Sequence, residues 1–224
     1  MNKIIIYSDS SFAERMGFFI EQEGWGEVIA YTNERQFITR DKVGKLPVIS
    51  YDLLSEYFDK SEFSILLAVG YTRINKIREE IYNKIKRDGY KVATFISKNS
   101  VLYSSEIGEG TIILPCTYIG PYVKIGVCNY FAAGVKISHN SNIGDFNFFS
   151  TNVVMGGYAN IENNCFIGLN STIKNDIVIG SYSLIGSASN VLKSIPRDET
   201  KRGAVYAGNP AKLMEIKKSE EIHI

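Results

Sequence analysis

Net charge is nearly absent from this 224-residue chain, in which 25 basic side chains face 24 acidic ones. No overall field draws it to nucleic acid or to anionic lipid, and neither partner is expected. Cysteine is scarce: Cys116, Cys128 and Cys165 are an odd number, with no CxxC or CxxxC spacing. That argues against a disulfide framework or a structural zinc site, and a reducing compartment is expected. Long apolar runs are missing too. The opening Ile4-Ile5-Ile6 stops at Tyr7, far short of a signal-peptide core or a membrane span, so a cytoplasmic protein without membrane insertion is expected. Histidine occurs only as His139 and His223, too few for a three-imidazole metal centre in one chain, and no metal is expected. The loop Ser8-Asp9-Ser10-Ser11 lacks glycine, which removes the dinucleotide fingerprint.

What is present is 45% hydrophobic, enough to bury a core. The grammar of the chain changes near residue 100. Between 101 and 192 only three basic and five acidic side chains occur. Asn, Gly, Ser and Ile take their place, a mixture of turn formers and β-branched residues. Counting in sixes from Val101 to Val191 meets an apolar residue at all sixteen positions. Chance would give such a run on the order of a few times in a million. The next residue is glycine eight times, and the fourth residue on is usually small or β-branched, as at Thr111, Val123, Ser141 and Cys165. A period of six is neither the helical 3.6 nor the simple alternation of a hairpin strand. It marks a hexapeptide-repeat parallel β-helix, in which three flat walls make a triangular coil and sixteen units give about five coils. Asn and Gly are expected at the corners, including those that need a positive φ. Cys116 and Cys128 fall at corners and Cys165 in the core.

Residues 1–98 read as a small Rossmann-like α/β domain ahead of the β-helix domain, 99–224. Strands are expected over 4–7, 27–31, 64–69 and 91–96 and helices over 10–23 and 71–89, with an irregular stretch around Leu46-Pro47-Val48. Such alternation predicts a parallel sheet covered by helices. Its ligand crevice would lie at the carboxyl ends of the first and third strands, at Ser8, Asp9, Ser10 and Ser11 and at Gly70, Tyr71 and Arg73.

His139 stands two places after the inward Ile137, among the polar Ser138, Asn140, Ser141 and Asn142. An imidazole there is displayed on the outer face, and imidazole is the side chain that exchanges protons near neutral pH. His223 reads as a tail residue.

The unbroken hexads, the run Ile-Ser-His-Asn-Ser-Asn-Ile-Gly-Asp over 137–145 and the closing Tyr-Ala-Gly-Asn-Pro-Ala-Lys over 206–212 resemble the left-handed β-helix acyltransferases. With Leu46-Pro47-Val48 and Ala68-Val69-Gly70, the whole chain is similar to the sialic acid O-acetyltransferase-like family. That family includes N-acetyltransferases of nucleotide-linked 4-amino-4,6-dideoxy sugars. The resemblance implies a homotrimer that binds acetyl-CoA between subunits, with His139 as general base in a direct transfer that needs no cysteine. Asn140 follows where the family often carries a carboxylate; an amide can orient the ring but adds no charge. The N–H of Gly157 would face the thioester oxygen. Gly156, Gly157, Leu169, Gly186 and Ser187 would lie along the pantetheine, and Lys201, Arg202 and Lys212 near the phosphates of the cosubstrate. The nucleotide of the sugar would sit against Ser8 to Ser11 and Thr32-Asn33, which replace the family's glycine loop and carboxylates.

An O-acetyltransferase and a non-catalytic trimeric sugar-nucleotide-binding scaffold remain open alternatives. Tyr118, Tyr122, Tyr130, Phe146, Phe148 and Tyr158 at outward positions give a lone solenoid more exposed apolar surface than a monomer usually shows, which also favours a trimer.

Overall fold

Ile4, Ile5 and Ile6 are at most 1% exposed, as expected of a central strand in a mainly parallel sheet. The computed structural model describes residues 2–103, 106–197 and 203–214. The chain divides into two units, Met1–Gly70 with Glu80–Phe95 and Tyr71–Glu79 with Ile96–Ile224, so the segment 71–79 groups with the solenoid and not with the residues before it.

In the first unit, β1 (Lys3–Tyr7) lies between β2 (Glu27–Asn33) and β5 (Phe63–Leu67), parallel to both. The stretch expected to be irregular is β4 (Leu46–Ser50), parallel to β2 and joined to the short β3 (Lys42–Val43) as an antiparallel hairpin. Proline misled the reading because it usually interrupts a sheet, yet at position 47 it stands near the start of a strand, where it is tolerated. Helix α1 (Ser11–Gln22) begins where the Ser10 hydroxyl accepts the Ala13 N–H at 3.4 Å. The helix expected over 71–89 runs only over Lys76–Arg87. Arg73, Ile74 and Asn75 precede it with φ of 51°, 49° and 66°, which no right-handed helix admits. Among the described residues no helix is long and apolar enough to cross a membrane.

The solenoid is a prism of two-residue strands. The first wall stacks Val101–Leu102, Tyr118–Ile119, Lys136–Ile137, Val154–Met155, Thr172–Ile173 and Asn190–Val191. The second stacks Glu106–Ile107, Lys124–Ile125, Asn142–Ile143, Asn160–Ile161 and Val178–Ile179. The third runs from Ile112–Ile113 through Tyr130–Phe131, Phe148–Phe149, Phe166–Ile167 and Leu184–Ile185 to Val205–Ala207. All are parallel, and from Tyr118 to Val191 each strand residue pairs with one eighteen places away, as Ile119 with Ile137. The count in sixes slips only at its start. Leu102, not Val101, pairs with Ile119, and Val101 is 51% exposed. Inside, like stacks on like: the Phe131 and Phe149 rings lie 4.8 Å apart at 11°. Cys165 is wholly buried, and burial pushes its thiol up to about 12.

Every sixth residue from Gly110 to Ala188 has a φ between 51° and 78°, fourteen corners in all. Only two of them are glycine; Asn, Tyr, Cys, Phe, Asp and Ala fill the rest. The glycines that follow inward residues have another cause. At Gly168 a Cβ would stand 2.6 Å from the Ser187 nitrogen and 2.7 Å from the Ile185 oxygen, so the next coil leaves no room.

The outward aromatics divide. Tyr118, Tyr122 and Tyr158 are exposed, but Tyr130 and Phe146 are buried and Phe148 is half-buried. The outer face of the third wall is apolar, with Tyr130 stacked on Phe148 at 4.5 Å, and the segment 71–79 covers it. Arg78, 3% exposed, donates from Nη2 to the carbonyls of Phe146 and Asn147 at 3.0 and 2.9 Å. Burial draws its pKa down to about 10, which leaves it charged at neutral pH.

Gly168→Ala is expected to cost about 1–3 kcal/mol by overpacking, whereas Ala188→Gly, at a left-handed corner, is expected to be neutral or stabilising. Denaturant unfolding of the two variants checks both, and equal losses would refute the division of labour.

Candidate active site

The edge between the first and second walls carries Tyr122, His139 with Asn140, and Gly157 with Tyr158 on successive coils. His139 is exposed, because a residue two places beyond an inward one points off the corner. Asn140 takes the left-handed corner with φ 56°, a conformation that asparagine tolerates better than most residues. Its Oδ1 lies 3.0 Å from His139 Nδ1. An amide oxygen only accepts, so Nδ1 is the donor in this contact, and in the neutral ring that leaves the lone pair on Nε2. Asn140 therefore does what the sequence allows it, orienting the ring, and also fixes the tautomer.

One coil on, Gly157 lies directly against this ring. A Cβ there would come 2.8 Å from His139 Cε1 and 2.9 Å from Nε2. Its carbonyl accepts the Asp176 N–H, while its own N–H has no acceptor among the described residues. The Tyr158 N–H donates to the His139 carbonyl at 3.0 Å, and its ring meets the imidazole edge-on at 5.2 Å and 87°. Sequence reasoning assigned Tyr158 only to apolar surface. Counting one coil on from Asn140 would have placed it beside His139.

Gly156 and Gly186 give their N–H groups to Ile173 and Tyr206 at 2.9 and 2.8 Å, so both serve the ladder. Leu169 and Ser187 are exposed on the edge between the third and first walls. There they join Thr151, Phe148 and Phe166 along an open groove of about 250 Å³. A wall of six residues separates that edge from the edge of His139, roughly 20 Å at about 3.3 Å per residue. A single chain does not bring the two groups together. Lys212 is exposed beside Leu192, Lys193 and Leu213 in a groove of about 480 Å³ at the end of the solenoid. Lys201, Arg202 and His223 lie outside the described residues.

In the first unit the expected crevice residues are largely engaged with one another. Ser8 follows β1 with φ 106°, so a glycine-like conformation is kept without glycine. Its hydroxyl donates to that of Ser10, which caps α1; Ser11 is exposed in the first turn. Asp9 is 4% exposed and accepts from Asn33 Nδ2 at 2.8 Å and from the Thr39 N–H and hydroxyl at 2.7 Å. Burial works to raise its pKa, but these hydrogen bonds outweigh it and hold the carboxyl below the usual range. Asn33 also donates to the Phe37 carbonyl at 3.1 Å. Thr32 is a correction: it is wholly buried and its hydroxyl donates to the Ile49 carbonyl at 2.8 Å, so no ligand reaches it. Tyr71, half-buried, packs its ring against Phe148 and Phe166 at 5.0 and 4.8 Å, on the third wall of the second unit, and lines the groove of Leu169 and Ser187. Gly70 is half-buried just beyond β5, and Arg73 is exposed in the second unit. Sequence reasoning missed Thr39 and Arg40, which pin the Asp9 turn; neither sits in a recognisable motif.

No family model matches the chain. Among solved structures, the acetyltransferase domain of PglB from Neisseria gonorrhoeae is similar at 21% identity and a TM-score of 0.83, over 96% of this chain and all of that one. PerB from Caulobacter crescentus, solved with CoA and GDP-perosamine, is similar at 18% identity and a TM-score of 0.81, over 96% of this chain and 98% of that one. WeeI from Acinetobacter baumannii is similar at 22% identity and a TM-score of 0.70, over 96% of this chain and all of that one. These likenesses, together with the stacked parallel walls, establish the fold as a left-handed parallel β-helix behind a small α/β unit.

Because the folded-state pKa of Asp9 is depressed, its contribution to stability is present above the unfolded value of about 3.9 and is lost as pH falls through the lower folded value. Asp9→Asn should flatten that acid limb. Melting curves across the acid range check it, and an unchanged limb would show that Asp9 is not responsible.

Proposed function

We propose that the protein is an acetyl-CoA-dependent N-acetyltransferase that acts on the amino group of a nucleotide-linked 4-amino-4,6-dideoxy sugar. The observation that carries this reading is the His139 edge: an exposed imidazole with Nδ1 on Asn140 Oδ1 and Nε2 against Gly157, whose N–H has no acceptor among the described residues. Solved structures of the same fold support it: one is described as an acetyltransferase domain, another as a GDP-perosamine N-acetyl transferase, and PerB holds CoA and GDP-perosamine.

In this reading the sugar nitrogen attacks the thioester carbonyl while His139 Nε2 takes its proton, and the Gly157 N–H stabilises the oxygen as it gains charge. The carbon–sulfur bond then breaks, the amide remains on the sugar, and the thiolate of coenzyme A leaves and picks up a proton. Tautomer selection by Asn140 favours an enzyme over a bare binding scaffold, since a binder has no need of a free Nε2. The α/β unit takes the nucleotide part of the substrate, with the Ser10 cap and the first turn of α1 offering N–H groups and Ser11 a hydroxyl.

Because His139 and Gly157 stand on a different edge from Leu169 and Ser187, the cosubstrate groove is completed by a second copy, which supports a homotrimer with sites between subunits. Exposed Tyr118, Tyr122 and Tyr158 supply apolar surface for that contact. Light scattering should give three times the chain mass; a monomer would refute the shared groove.

Thiol release from acetyl-CoA in the presence of amino sugar nucleotides, or of their hydroxyl analogues, tests the reaction and separates nitrogen from oxygen as acceptor. His139→Ala should lower turnover on the order of a hundredfold or more with folding intact. An indifferent variant would leave the scaffold reading standing.

A further inference from the structure

We propose that Tyr158 is a positioning residue for His139: its ring, set edge-on to the imidazole, holds Nε2 against Gly157. The inference rests on the reading of His139 as the base and adds a residue to it.

Backbone preference does not account for a tyrosine here. Position 158 is one of the left-handed corners, with φ 57°, and the equivalent corners one coil before and after hold Asn140 and Asp176 at 56° and 59°. Asparagine and aspartate suit that conformation, and a bulky aromatic does not. Burial within the single chain does not account for it either, because Tyr158 is 55% exposed there; burial against a second copy is the competing account, and the test below separates the two. Among the described residues its ring has one aromatic contact, the imidazole at 5.2 Å and 87°, the edge-to-face arrangement that aromatic pairs favour. The two residues are also joined through the backbone, Tyr158 N–H to His139 carbonyl at 3.0 Å. Tyr122 offers the contrast: same edge, same backbone conformation with φ 60°, 76% exposed, and no ring contact with His139 among the described residues.

His139 needs such a support. Its side chain is exposed and turns about two torsions, and the hydrogen bond to Asn140 Oδ1 is a single point about which the ring can pivot. Gly157 limits the swing only on the side where its Cα lies. A second aromatic plane at right angles restricts the pivot and so retains the tautomer and the aim that proton transfer requires.

The test compares Tyr158→Ala and Tyr158→Phe with the parent chain. Nitrogen NMR of the histidine rings reads the tautomer directly, and with only two histidines His139 is identified from the His223→Ala variant. Tyr158→Ala should turn the Nδ1-protonated pattern of His139 into a tautomer mixture. It should also lower kcat on the order of tenfold while KM for acetyl-CoA changes by less than about twofold. Tyr158→Phe, which keeps the ring and loses the hydroxyl, should restore both.

Unchanged His139 signals in Tyr158→Ala would overturn the proposal, as would a Phe variant as impaired as the Ala variant. Loss of the oligomer by light scattering with an unaltered imidazole pattern would overturn it too, assigning Tyr158 to assembly instead. Should the parent chain transfer no acetyl group, the reading of the reaction fails, while the NMR comparison still decides whether Tyr158 sets the ring.

Discussion

The solenoid depends on one constraint: from Tyr118 to Val191 each strand residue lies on one eighteen places away, close enough that backbones pair and side chains stack. Strands of two residues have no stability of their own. They persist because each ladder runs the length of the prism and each core side chain meets its like above and below. That same alignment gives the three walls different chemistry. One carries a mixture, one is polar with Asn142 bonded to Asn160 at 2.8 Å, and one is aromatic and covered.

Geometry imposed by the corners then selects the chemistry of the candidate site. A turn after every inward residue requires a left-handed conformation at a fixed place, and Asn140 meets that requirement while presenting an acceptor to the preceding histidine. The residue one coil on from His139 must be glycine, since the ring already occupies the space of a side chain. Fold and tautomer are thus set by the same residues.

Much of this was legible in the sequence. A six-residue period is a strong signal because it repeats many times, and it located the core, the corner cysteines and the outward His139. Its weak point was its start, where a one-residue offset at Val101 is invisible without the pairing partner. Outward aromatics could be recognised as outward but not as covered, because nothing in the hexads of the third wall announces that residues 71–79 lie on it. In the α/β unit, β1, β2, β5 and α1 followed from apolar runs, while β4, the late start of the helix at Lys76 and the shortness of the strand expected over 91–96, which is a bridge at Val92 and the pair Phe95–Ile96, did not. The fates of Thr32 and Asp9 did not, since a polar residue at a strand end is equally suited to a ligand or to a neighbouring loop, and only the positions of Ile49 and Thr39 decide.

The stacking also constrains how such a chain can change in length. Loss or gain of one residue between the corners would turn every later side chain out of line, core to solvent and edge to wall, until the error was absorbed by a bulge. Removing or duplicating a full circuit would leave every column intact and alter only the height of the tower. Drift in size within such a protein is therefore quantised, and the tips of its corners are the places where extra loops can be inserted without disturbing the columns above and below.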